Sequence, residues 1–276
     1  MPQARPDAVT SNDAPRAPRS RGVALVPAAL TGVAGGISGG LFGVGGGVVM
    51  VPLLNAVFGL TQHQAHGTSL AIMGLASTVA FSVYAFHGNV SWMTALIAGL
   101  ASTMTARWGA RLAARTPAGR LAIAFALLLV VLAIRLLWKT PHAQSTLVSG
   151  AWAIPADLAV GAAVGVLAGY FGVGGGVLAV PAFTLLLGMT QHVAQGTSLG
   201  LILFTAPAGA IEHRRLGHVV MPLVWPCAFG AALGGLMASS WAQHLSAAIL
   251  ARGFALFALA NAVRLILKQR PARSRA

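Results

Sequence analysis

Carboxylates are almost missing from this chain. Of its 276 residues only four are acidic: Asp7, Asp13, Asp157 and Glu212. Two stand in the N-terminal tail and the other two near expected helix ends. Cation transporters and carboxylate-driven proton pumps usually place acids at mid-depth in the membrane, so this scarcity points to an anionic or neutral substrate. Cysteine is rarer still: Cys227 stands alone, which excludes an internal disulfide and suits a small packing residue in an apolar run. Charged residues of both signs make up only 8%, against about 25% in soluble domains. The alternating pattern of a membrane barrel is absent. No GxxxxGK[ST] loop occurs, which argues against direct ATP hydrolysis.

What is present is apolar. Hydrophobic residues make up 57% of the chain, and windows of about 20 such residues, the length of a spanning helix, recur along nearly all of it. The expectation is an all-α polytopic membrane protein. The formal net charge is +14, but the basic residues lie in the tails and a few short loops. That distribution fits lipid headgroups and topology signals and not a nucleic-acid face. The lipid bilayer and a small anion are the expected partners, with a second copy of the chain as a further candidate and no nucleic acid. No cofactor and no metal site are expected. Residues 1–22, rich in Pro, Ala and Arg, read as a disordered basic tail, not as a cleaved signal peptide.

The chain repeats itself. One constant shift, which carries Gly40 onto Gly169, makes 40–72 and 169–201 agree at 19 of 33 positions. The same shift aligns Gly88 with Gly217, Phe125 with Phe254 and Arg135 with Arg264. This divides the protein into a first membrane repeat (23–138), a connector (139–152), a second membrane repeat (153–267) and a basic C-terminal tail (268–276). Each repeat holds five apolar segments: about 23–41, 45–60, 65–86, 91–112 and 118–138, then about 153–170, 174–189, 194–211, 219–241 and 247–267. An odd number of segments makes the two repeats inverted. The basic residues agree. With both termini cytoplasmic, the inside loops carry Arg107, Arg111, Arg115 and Arg120 in the first half and Arg214 and Arg215 in the second, as the positive-inside rule requires. The second segment of each repeat is short: its roughly 16 residues reach about 24 Å against a hydrocarbon core of about 30 Å, and the parity is the same whether it crosses fully or turns back.

Those short segments open with the repeated clusters FGVGGGVVMVP (42–52) and FGVGGGVLAVP (171–181). Short, glycine-interrupted segments in matching places are the best sequence pointer to a transporter's binding site. Glycine lets the chain unwind, and a helix restarting there presents unpaired N–H groups and a positive dipole end to an anion. The candidates are Gly43, Gly45, Gly46, Gly47 and Pro52, and Gly172, Gly174, Gly175, Gly176 and Pro181. In contrast, Gly32, Gly36 and Gly40, and Gly161, Gly165 and Gly169, recur every four residues and read as helix-packing faces. A dinucleotide loop is a poor fit, since no strand precedes the cluster and no acid follows it.

A second repeated motif, TQHQAHGTSL (61–70) and TQHVAQGTSL (190–199), supplies Gln62, Thr68, Ser69, Gln191, Thr197 and Ser198 as neutral donors for an oxyanion. Their structural alternative is helix capping and interhelical hydrogen bonding. His63 and His192 align, and since histidine titrates near neutral pH they are the candidates for proton coupling. Gly196-Thr197-Ser198-Leu199-Gly200 also fits G-x-S-x-G, which raises an intramembrane serine hydrolase using Ser198 with His213 or His218 as base. The first copy ends in Ala71 and no strand precedes either copy, so this reading ranks below transport. A passive anion channel is the other alternative.

The doubled FGVGGG…P cluster with the doubled A-x-G-T-S motif resembles the sulfite exporter TauE/SafE family, the four-toluene sulfonate uptake permease group, over about 23–267. The resemblance implies a multi-pass bacterial inner-membrane transporter, an exporter of sulfite, organosulfonates or related small anions, with its glycine clusters and Gly-Thr-Ser triplets at the site. It also implies seven or eight helices, against the ten segments counted here.

Overall fold

The computed structural model describes residues 25–114, 116, 118–138, 152–171 and 174–269. The tail 1–22, nearly all of the connector, Gly172 and most of the C-terminal tail lie outside the described residues. Among the described residues ten helices follow one another: α1 (Leu25–Phe42), α2 (Gly47–Phe58), α3 (Gln62–Phe86), α4 (Trp92–Ala114), α5 (Ala118–Trp138), α6 (Ala153–Phe171), α7 (Gly176–Leu186), α8 (Gln191–Arg215), α9 (Met221–His244) and α10 (Ala247–Gln269). Each matches one apolar segment of the sequence. Six of them are long and apolar enough to cross a membrane by length and composition. Large apolar side chains such as Trp225, Phe229, Met237 and Leu256 are exposed, as lipid-facing residues should be.

The repeat of the sequence reappears in the packing. On α1, Gly32, Gly36 and Gly40 face Cys227, Ala231 and Gly235 of α9; on α6, Gly161, Gly165 and Gly169 face Ala98, Ser102 and Ala106 of α4. These two sets of contacts are one set, carried from one copy of the repeat to the other. The missing side chains let the backbones touch, so that a Cβ on Gly36 would overlap the carbonyl of Ala231 and one on Gly169 that of Ala106. The two stripes are thus packing faces, as expected. Each repeat lends its first helix to the fourth helix of the other.

At the centre α3 packs along α8. Gly196 lies against Tyr84, Gly200 against Phe81, Pro207 against Gly74 and Gly209 against Leu70. One number rises as the other falls, so these equivalent helices run antiparallel. Both start at threonine caps: Thr61 accepts from the Gln64 N–H at 3.3 Å and Thr190 from the Val193 N–H at 3.4 Å. That accounts for the first residue of each repeated TQH triplet.

Candidate substrate site

The two glycine clusters break the chain. Between α1 and α2, Gly43, Gly45 and Gly46 adopt φ of 69°, 68° and 83°; before α7, Gly174 and Gly175 adopt 73° and 86°. L-residues with side chains enter that region at a cost, so glycine is required by conformation here. Neither Gly46 nor Gly175 supplies a side-chain cap to the helix it precedes, and the first N–H groups of a helix have no partner inside it. The helices that follow have 12 and 11 residues, about 18 and 16 Å at 1.5 Å each. That is roughly half a hydrocarbon core of about 30 Å.

The two breaks meet. A Cβ on Gly176, the first residue of α7, would come within 2.8 Å of Val44 Cα in the other break. The hydroxyl of Ser198 donates to the Gly43 carbonyl at 2.8 Å, with the Gly176 carbonyl at 3.4 Å, and so ties one break to the other. Between them stand Met73 and Ile202, equivalent residues at the midpoints of α3 and α8. The Met73 methyl lies 2.8 Å from the Cβ position of Gly45 and 3.2 Å from those of Gly47 and Gly174. Ile202 Cδ1 lies 3.0 and 2.8 Å from those of Gly45 and Gly176. The starts of α2 and α7 therefore adjoin each other, with a flexible thioether and an isoleucine packed between them. Ser69 makes a weak contact to Met73 Sδ at 3.5 Å. Ser77, which sequence reasoning missed, presents a buried Oγ with no hydrogen-bond partner among the described residues, 3.4 Å from the Gly45 Cβ position. A buried hydroxyl left unpaired is uncommon. Its only sequence signal was a serine one turn beyond Met73.

The threonines of the Gly-Thr-Ser motif join the two repeats. Thr68 Oγ1 accepts from the Val220 N–H at 3.0 Å, and Thr197 Oγ1 from the Ser91 N–H at 3.0 Å. Both threonines are fully buried, and each holds the turn before the fourth helix of the other repeat. Gly67 gives room to His213 and His218, and Gly196 to Tyr84 and Asn89, again a pair of contacts related by the repeat.

The other candidates lie apart from the centre. Pro52 and Pro181 sit inside α2 and α7, where each lacks the N–H that would continue the ladder. Gln62 is at the exposed start of α3 and accepts from the Asn55 amide at 2.9 Å; Met73 is about 11 residues on, roughly 16 Å along the helix. Gln191 begins α8, fully buried, with neither amide atom paired among the described residues. His192 Nε2 lies 3.1 Å from the Ala242 carbonyl. His63 stacks on His218 with ring centroids 5.2 Å apart. The hydrolase arrangement is not built: Ser198 spends its hydroxyl on backbone carbonyls, and His213 is about 15 residues further along α8, roughly 22 Å away. Asp157 is buried on α6 and accepts from the Thr94 hydroxyl at 2.9 Å.

A family model described as "Sulfite exporter TauE/SafE" matches residues 4–136 and 156–276. The chain is 28% identical over 236 residues to the "Probable membrane transporter protein YunE" of Bacillus subtilis (strain 168), across 74% of this chain and 84% of the relative. It is 30% identical over 241 residues to a "Probable membrane transporter protein" of Xylella fastidiosa (strain 9a5c), across 84% and 92% of the two chains. A "Probable membrane transporter protein" of Haemophilus influenzae is 24% identical over 258 residues, across 87% and 97%. No solved structure matches.

Proposed function

Since this chain belongs to the sulfite exporter TauE/SafE family, and is thus a multi-pass membrane transporter, we propose that it is a secondary transporter exporting a small sulfur-containing oxyanion, such as sulfite or an organosulfonate, across the bacterial inner membrane. The observation that carries this reading is the meeting of two helix starts, at Gly47 and Gly176, around Met73 and Ile202. An oxyanion that pushes the Met73 side chain aside finds backbone N–H groups from both sides and the free hydroxyl of Ser77. These donors are neutral. They stabilise an anion through dipoles and hydrogen bonds without a fixed cation that would hold it too firmly for release.

Alternating access follows from two inverted repeats around one site. The antiparallel course of α3 and α8, and the contacts that recur from one copy of the repeat to the other, support that reading. Whatever closes the pocket on one face has a counterpart on the other. Both termini are cytoplasmic in this scheme, which puts Arg107, Arg111, Arg214 and Arg215 inside, in keeping with the positive-inside rule.

The test is uptake of labelled sulfite and several organosulfonates into proteoliposomes holding the purified full-length protein, with and without a pH gradient. Saturable, trans-stimulated flux of at least one of these anions is expected. Flux without saturation or trans-stimulation would indicate a passive channel, and movement of a cation but none of the anions would sink the proposal.

A further inference from the structure

The two pseudo-equivalent joints between the repeats differ in one chemical respect. Where the end of α3 and the turn at 87–90 meet α8, the positions equivalent to three histidines of the other joint hold neutral groups. The Tyr84 hydroxyl lies 3.0 Å from the Gly40 carbonyl and 3.1 Å from Gln195 Oε1, Gln195 Nε2 donates to the Leu41 carbonyl at 3.1 Å, and the Asn89 amide donates to Gln243 at 2.6 Å. In the other copy of the repeat, Tyr84 is replaced by His213, Asn89 by His218 and Gln195 by His66. With His63 these make a cluster of four imidazoles: His63 on His218 at 5.2 Å, His66 on His213 at 5.5 Å, and His213 on His218 at 5.7 Å between ring centroids. Two come from the start of α3 and two from the end of α8 and its following turn, so the cluster straddles the boundary between the repeats. The Nδ1 atoms of His213 and His218 are buried with no partner among the described residues.

We propose that His66, His213 and His218, with His63, form a proton-binding site that opens this joint when it is charged, while the joint on the opposite face stays shut. The proposal rests on the alternating-access reading and names the coupling ion for it. The make-up of the cluster is what suits it to protons. The charges that act on His66 and His213 are those of His63, His213, His218 and Glu212, so a gained proton faces mostly further imidazoles. Glu212 is the sole carboxylate here among the described residues and is exposed beside Arg215 at 3.8 Å. The helices packed around the cluster bring no relief: α1, α2 and the first turn of α9 carry no ionisable side chain, and α4, which packs along α8, brings Arg107 and Arg111, both exposed. Charged imidazoles this close repel, and the repulsion is directed across the seam between α3 of one repeat and the α8–α9 turn of the other. At the three equivalent positions of the opposite joint Tyr84, Asn89 and Gln195 gain no charge over the same change in pH, and the two histidines there, His87 and His192, lie against the backbone carbonyls of Val83 at 2.8 Å and Ala242 at 3.1 Å.

The experiment is pulsed electron–electron distance measurement on the full-length protein in lipid nanodiscs, with Cys227→Ala and spin labels at Gln64 and Leu216 across the histidine joint, or at Phe86 and Val193 across the neutral one. Between pH 8 and pH 5.5 the Gln64–Leu216 distances should shift to a longer population, changing the long-to-short ratio at least fivefold, while the Phe86–Val193 distances do not lengthen. Replacing the cluster with its own counterparts, His66→Gln, His213→Tyr and His218→Asn together, should hold the short distance at both pH values. If that triple variant does not elute as a folded protein, His218→Asn alone should cut the shift by half or more. An unchanged distance in the parent, or an undiminished shift in the variants, overturns the proposal. Because no substrate is present, loss of anion uptake in vesicles that keep the pH shift would reject the anion reading and leave the proton site standing.

Discussion

Replacing Gly46 with alanine separates two demands made on that residue. The first is conformational: its φ is 83°, and an L-residue there costs about 1–2 kcal/mol. The second is spatial, because a Cβ would overlap the backbone carbonyl of Gly35 in α1. A backbone atom cannot step aside as a side chain can, so α1 and the break must part, and forced overpacking of this kind costs about 1–3 kcal/mol. Gly59 isolates the first demand. Its φ is 66° and nothing lies within 4 Å of its Cβ position. Gly59→Ala should thus cost about 1–2 kcal/mol, and Gly46→Ala about 2–5 kcal/mol when the two terms add. Thermal unfolding of the purified variants in detergent should place Gly46→Ala several degrees below Gly59→Ala. In proteoliposomes, Gly59→Ala should transport and Gly46→Ala should not, because the shift moves the start of α2 off the site. Equal melting temperatures together with equal uptake would refute the claim that this break is locked against α1 and positions the site.

Four further outcomes follow from the same geometry. Ser77→Ala removes a hydroxyl that has no partner among the described residues, so melting should hold while KM for the transported anion rises about tenfold; a fall in stability above about 1 kcal/mol would mean that the hydroxyl was already engaged. Met73→Ala should leave the space between the two helix starts open and give substrate-independent anion leak, whereas a tight, inactive variant would argue against Met73 as the plug. Thr68→Ala and Thr197→Ala each orphan a turn N–H and should cost about 1–3 kcal/mol in unfolding, with Thr→Ser largely restoring it; loss of affinity at unchanged stability would return these residues to the substrate. Ser198→Ala should damage uptake more than Ser69→Ala, since only Ser198 binds the two breaks together.

Most of the helical layout was legible because each cause was local. The apolar segments became the helices, with ends shifted by a few residues, and the glycine clusters marked breaks because positive φ is a property of single residues. The packing stripe at Gly32, Gly36 and Gly40 was visible in its spacing, though not its socket on α9. What stayed hidden depended on how the repeats dock. Thr68 and Thr197 had equal claims as substrate ligands and as structural donors until each was found holding a turn of the other repeat. The histidine cluster was harder still. His66 and His213 belong to different repeats, and they meet only because α3 and α8 run antiparallel. A comparison of the two copies was nonetheless informative, since at three sites a neutral residue in one copy faces a histidine in the other.

The exchange of first helices has a consequence for how this molecule is made. A chain severed between 139 and 151 would yield two fragments, each with a glycine-faced helix deprived of the groove it fits, α1 without α9 and α6 without α4. Neither fragment is a module in the thermodynamic sense. Supplied together they complete each other, each filling the groove that the other leaves open.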